Sequence, residues 1–170
     1  MPVSVRDKLE AVREGMLDII YQIRLTCNEL RPPLLRELGL VASVESLIHS
    51  VQLRNDYVVR FESHYPSERS DDMTVAIYRI IQEMLSNASK HSNASEVRLR
   101  IDTTDKHIVV DYIDNGVGMD IASLQASYRS MGVYGIRERV RSMNGTVQFE
   151  SAPENGFRII VCLPITPETD

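Results

Sequence analysis

The chain has 170 residues, 43% hydrophobic and 25% charged, which suits one globular domain with a small appendage and calls for no disulfide staples. Its net charge of -5 argues against a general nucleic-acid binder, because phosphate contacts make such proteins basic. Cys27 and Cys162 stand far apart in apolar runs without ligand-like spacing, so buried free thiols are expected and a zinc site is not.

No apolar run reaches the length of a membrane span and no signal-peptide pattern opens the chain, so a soluble piece is expected. Met1-Pro2-Val3-Ser4 leads straight into a charged helix, as it would in a piece cut from something longer. From about Val5 to Leu30, apolar residues recur every three to four positions and predict a helix, which Arg31-Pro32-Pro33 ends. Its apolar stripe precedes any strand and wants a partner. A core helix of the same domain and a dimerising or bundle helix both satisfy that, and the second fits better. Leu34–Leu40 reads as a second short segment. Ala42–Arg54 reads as an amphipathic helix with Val44, Leu47, Ile48 and Val51 on one side.

Tyr57–Glu62 alternates like a strand. A polar loop over Ser67–Asp72 leads into a strong helix over Met73–His91, closed by Ser92-Asn93-Ala94-Ser95. Glu96–Asp102 and His107–Ile113 pattern as a hairpin about Thr103-Thr104-Asp105-Lys106, with Val97, Leu99 and Ile101 inward. Pattern is lost from Asp114 to about Gly132. A helix follows over Gly135–Met143, stopped by Asn144-Gly145, and then a strand pair over Thr146–Glu150 and Phe157–Leu163. Helices first, then strands mixed with two helices, predict an α+β two-layer sandwich with helices on one face of a mostly antiparallel sheet.

Glu83, Asn87, Lys90 and His91 share one face of the strong helix. On these residues alone, a solvated stripe and a metal–phosphate site both remain open. In the second case Asn87 offers a hard oxygen to Mg²⁺, Glu83 orients or deprotonates a nucleophile, and Lys90 or His91 meets a phosphate. Asp114-Asn115-Gly116-Val117-Gly118-Met119 reads either as an ordinary turn or as a loop admitting a flat ligand, whose exocyclic amine Asp114 could accept. Gly132 and Gly135 precede Ile136, where a helix start could bind phosphate; a plain loop is the alternative. Ile121–Met131 has the length of a lid.

Three such elements in this order are specific. Gln82-Glu83-Met84-Leu85-Ser86-Asn87-Ala88-Ser89-Lys90-His91 resembles the N box of the ATPase family shared by gyrase, the Hsp90 chaperone, sensor histidine kinases and MutL. Asp114 to Met119 resembles its G1 box, and Gly132-Val133-Tyr134-Gly135-Ile136-Arg137-Glu138-Arg139 its G2 box. The G2 string, with Leu30-Arg31-Pro32-Pro33-Leu34-Leu35 and Leu38-Gly39-Leu40, resembles sensor histidine kinases of the nitrate-sensor and DesK type over roughly residues 8 to 165.

The resemblance implies a Bergerat-type ATP-binding fold over residues 38–170 and the second helix of a dimerisation domain over 1–37. It implies ATP and Mg²⁺ as ligands, with Asn87 on the metal, Glu83 assisting the phosphoryl acceptor and Asp114 reading adenine. Gly116, Gly118, Gly132 and Gly135 would shape the pocket and its lid, with Lys90, His91, Met119, Val133, Tyr134 and Ile136 about the nucleotide. A response regulator receiver domain, a homodimer through the N-terminal helix and anchoring of an intact protein in the bacterial membrane are implied as well. Two departures stand out. Phe157 occupies a position where the family usually has threonine, and none of His49, His64, His91 and His107 has the setting of a phosphoacceptor. The expectation is therefore a piece that binds ATP without phosphorylating itself. The competing readings are a serine kinase of the anti-sigma class and a catalytically silent nucleotide-binding dimerisation module.

Overall fold

The computed structural model describes residues 33–66, 71–120 and 131–165. The expected helix over Val5–Leu30, most of the 67–72 loop and the Ile121–Met131 segment thus lie wholly or largely outside the described residues.

The first described element, α1 (Pro33–Gln52), is two helical pieces joined at Gly39, which takes φ 76 and ψ -178. The two segments expected at Leu34 and Ala42 are therefore one broken helix. Glycine tolerates this left-handed φ at no steric cost, and Ser43 Oγ donates to the Gly39 carbonyl at 2.8 Å across the break. Leu35 is buried in the same core as Leu40, Val44 and Ile48. Residues just before the expected boundary at 37 thus pack with those after it.

Strand β1 (Val58–Ser63) follows, then α2 (Asp71–Asn87). Strands β2 (Glu96–Thr103) and β3 (His107–Asp114) form the hairpin. Helix α3 (Met131–Ser142) and strands β4 (Thr146–Ser151) and β5 (Phe157–Pro164) complete the order. The five strands lie in the order β1-β2-β3-β5-β4. Among the described strands only β1 pairs in parallel, with β2; the other pairings are antiparallel. The α+β architecture is as expected, with a mixed sheet.

The period-two alternation decides which face is covered. Val97, Leu99, Ile101, Ile108, Val110, Ile159, Val161 and Leu163 point inward and are almost fully buried. They meet Ile77, Ile80, Ile81, Met84 and Leu85 of α2 and Ile136 and Val140 of α3. Each such side chain contributes about 1.5–3 kcal/mol on burial. The other face carries Arg60, Arg98 and Arg100, paired with Glu96 and Asp102, and a two-pronged Arg158–Asp111 pair at 2.9 and 3.1 Å. Cys162 on that face is a half-buried free thiol rather than a buried one. Among the described residues no helix is long and apolar enough to cross a membrane.

Candidate functional site

The apolar face of α2 holds the helix to the sheet and leaves Glu83 and Asn87 half-buried at its rim. Beyond Asn87 the helix widens into a π turn, Ala88–Ser92, which the expectation of one regular helix to His91 missed. Hydroxyls compete for carbonyls there. Ser89 Oγ donates to the Leu85 carbonyl at 3.0 Å, and the Tyr57 hydroxyl reaches the same carbonyl at 3.3 Å. Ser92 Oγ donates to the Ala88 carbonyl at 2.8 Å. Asn93 then ends the turn in the left-handed region. Lys90 and His91 are exposed, and His91 borders the cavity beside Asn87.

The loop after β3 is held from both sides. Toward α2, Val117 N–H donates to the Ser92 carbonyl at 2.8 Å, and a Cβ on Gly116 would strike that oxygen. The Asn115 side chain accepts from the Ser95 and Glu96 amides at 3.0 and 2.9 Å. Toward the β4–β5 turn, Gly156 N–H donates to the Gly116 carbonyl at 3.0 Å and Glu154 N–H to the Val117 carbonyl at 2.7 Å. Met119 N–H donates to Ser151 Oγ at 2.9 Å. A Cβ on Gly118 would strike the Ala152 carbonyl. These glycines serve close approach of backbones, not only a turn.

Asp114 ends β3 and is 5% exposed. Its Oδ1 accepts the Gly116 N–H at 2.9 Å, and its Oδ2 accepts the Tyr112 hydroxyl at 2.8 Å. Burial, then the Asp114 charge, push the Tyr112 phenol far above its usual range, so it stays a donor.

The third element departs from expectation in its start. Gly132 and Gly135 lie inside α3, which is already helical at Met131. The reason is packing. A Cβ on Gly132 would collide with Glu83 Oε1 and lie 2.8 Å from both Asn87 Nδ2 and Oδ1. The opening turn of α3 is thus seated on the polar face of α2, and a side chain at 132 would displace the ends of Glu83 and Asn87. Gly135 meets nothing closer than Arg139 at 3.5 Å. Tyr134 is exposed, whereas Ile136 is fully buried and faces the core.

A cavity opens between these parts. Of the motif residues, Asn87, His91, Gly118, Met119 and Val133 line it. Met84, Ser92, Tyr112, Phe157 and Ile159 line it too, and were not singled out as ligand contacts. Two-residue alternation back from Asp114 would have found Tyr112, and forward from Phe157 would have found Ile159. Phe157, at the position of the family's threonine, supplies an apolar wall backed by Phe149, whose ring lies 6.1 Å away. Asp114 itself sits beneath the lining, one hydrogen bond from Tyr112.

Known proteins resemble this chain in sequence and in fold. The sensor histidine kinase ComP of Bacillus subtilis is 40% identical over 156 residues, 91% of this chain and 20% of that protein. DegS of Brevibacillus brevis, a signal transduction histidine-protein kinase/phosphatase, is 28% identical over 166 residues, 97% of this chain and 42% of that protein. The chain therefore spans between one fifth and about two fifths of these relatives' length. Histidine kinase AdeS of Acinetobacter baumannii superposes with a TM-score of 0.66 over 91% of this chain and 84% of that one, at 14% identity, a likeness of fold. The family described as "Histidine kinase-, DNA gyrase B-, and HSP90-like ATPase" matches residues 73–167, which take in nearly all of α2, the loop after β3 and α3. With more than half of its residues matched, the chain belongs to that ATPase family.

Proposed function

We propose that this chain is the ATP-binding catalytic part of a sensor histidine kinase, passing the γ-phosphoryl group of ATP to a histidine and thence to an aspartate of a response regulator receiver domain. The observation that supports the reading most is the seating of Gly132 against Glu83 and Asn87. It brings a carboxylate, a carboxamide and the opening turn of a helix to the mouth of an apolar cavity, where phosphate would sit. The base would lie in the cavity against Met84, Val133, Phe157 and Ile159, with Asp114 accepting its exocyclic amine. Met119 and the glycines at 116 and 118 would close over it. Lys90 or His91 would meet a phosphate.

Among the described residues no cluster of three His, Cys, Asp or Glu could hold a metal alone. Mg²⁺ needs none, because it takes phosphate oxygens and keeps water. The donor set therefore fits: Asn87 would hold Mg²⁺, which supplies charge neutralisation when bound. Glu83, whose Oε1 lies against Gly132 beside the Asn87 side chain, would orient the acceptor and take its proton. Assembly as a homodimer through the residues before α1, and membrane anchoring of an intact protein, belong to the same proposal.

Calorimetry with ATP and Mg²⁺ tests it. Binding is expected, and a chain that takes up no nucleotide sinks the reading. Glu83→Gln should bind ATP within about threefold of wild type yet lose roughly a hundredfold or more in transfer to a supplied histidine domain. Labelled ATP alone should leave no acid-labile phosphohistidine on this chain.

A further inference from the structure

The polar end of the cavity holds a buried pair whose second member has no part in the roles assigned above. Tyr112 lines the cavity, is 2% exposed and donates its hydroxyl to Asp114 Oδ2 at 2.8 Å. Asp114 Oδ1 is held by the Gly116 N–H at 2.9 Å. With one oxygen fixed from the floor and the other from the loop, the carboxylate cannot turn without breaking a hydrogen bond. Phe157 faces Asp114 across the β3–β5 register and brings no hydroxyl. Tyr57 is a second buried phenol nearby, but its hydroxyl meets Ser89 Oγ at 2.9 Å and the Leu85 carbonyl at 3.3 Å instead.

We propose that Tyr112 is a positioning residue for base recognition: its hydroxyl locks the Asp114 carboxylate in the orientation that accepts an exocyclic amine, and so sets the preference for a 6-amino over a 6-oxo purine. The inference rests on reading the cavity as an ATP site. An ionised carboxylate only accepts hydrogen bonds. Locked, it meets a 6-amino group as donor to acceptor and a 6-oxo group as acceptor to acceptor. Unlocked, it swings aside and admits water between itself and a 6-oxo group, which erases much of the difference.

Calorimetric titration with Mg²⁺ and either ATP or inosine triphosphate reads the preference as a ratio of dissociation constants. The wild-type ratio should be about tenfold or more. Tyr112→Phe keeps the volume and removes the hydroxyl. Its ratio should fall to about two- to threefold, with ATP losing more affinity than the 6-oxo nucleotide. Tyr57→Phe removes a hydroxyl buried beside the same site but bonded elsewhere, and should keep the wild-type ratio. Replacement of Tyr112 by 4-aminophenylalanine retains an N–H donor at the same place and should restore the preference; it carries the test by itself where the phenylalanine variant is too unstable to titrate. An unchanged ratio in Tyr112→Phe, an equal loss in Tyr57→Phe, or a lost preference in the folded 4-aminophenylalanine protein overturns the proposal while leaving the ATP site standing. A wild-type chain that binds ATP and inosine triphosphate equally overturns it too. Absence of all nucleotide binding removes the ATP reading itself, and this inference with it.

Discussion

Gly132 separates two quantities that usually move together. An alanine there gains helix propensity, worth up to about 1 kcal/mol, but its Cβ must displace the ends of Glu83 and Asn87. Both are side-chain termini that can give way. Gly132→Ala should therefore unfold within about 1 kcal/mol of wild type in urea, while ATP affinity in calorimetry falls roughly tenfold or more. A stable variant with full affinity would show that the seating of α3 is incidental. Glu83, Asn87 and Asp114 were legible from residue type and spacing. Tyr112 was not, because a tyrosine in an alternating strand reads as core until its partner is known. Ile136 shows the reverse: a motif position adjoining the site in sequence points away from it, into the core.

At the scale of elements, the loop after β3 works as a bridge between α2 and the β4–β5 turn. Ser151 is its most economical joint, accepting from Met119 N–H at 2.9 Å and donating to the Gly156 carbonyl at 2.6 Å. Ser151→Ala should cost about 1–2 kcal/mol in denaturant unfolding and speed amide exchange at Met119 well beyond that at Val117, whose own N–H bonds to Ser92. Equal protection at both amides would refute the bridge. Every described strand was legible from alternation to within a residue or two, since one face is buried and the other charged. The start of α3 was not, because glycine signals a loop in isolation and only the approach of a second helix gives it another use. The π turn was hidden for a similar reason. Its cause lies in hydroxyls of Ser89, Ser92 and Tyr57, and Tyr57 is far away in sequence.

Among the described residues a single apolar layer lies between one sheet face and three helices, and it buries Tyr57, Tyr78 and Tyr112. Burial raises all three phenols above the usual value of 10.0. Below that pH folded and unfolded chains are equally protonated and the tyrosines add no pH dependence. Above it the unfolded chain loses its phenol protons first, so stability falls as pH rises toward the folded values. Unfolding in urea should show an alkaline loss with a slope of up to about 1.4 kcal/mol per pH unit for each buried tyrosine. The slope should shrink in Tyr57→Phe and Tyr112→Phe; a flat profile above pH 10 would refute it. The family rests on residues 73–167, where the N, G1 and G2 motifs lie. The expected helix over Val5–Leu30 and the division at residue 37 rest on periodicity and resemblance, and they remain proposals.

The hydrogen bonds around Asn115 also govern how the protein ages. An Asn-Gly pair loses ammonia when the glycine nitrogen attacks the side-chain amide and closes a five-membered imide, a reaction that demands close alignment of the two groups. Here the Gly116 N–H is committed to Asp114, and the Asn115 carboxamide is pinned by Ser95 and Glu96. The folded chain should deamidate at Asn115 at least about tenfold more slowly than the same chain in denaturant, as mass spectrometry of the peptide would report. The contacts that shape the ligand loop thus double as its protection against chemical decay over the life of the molecule.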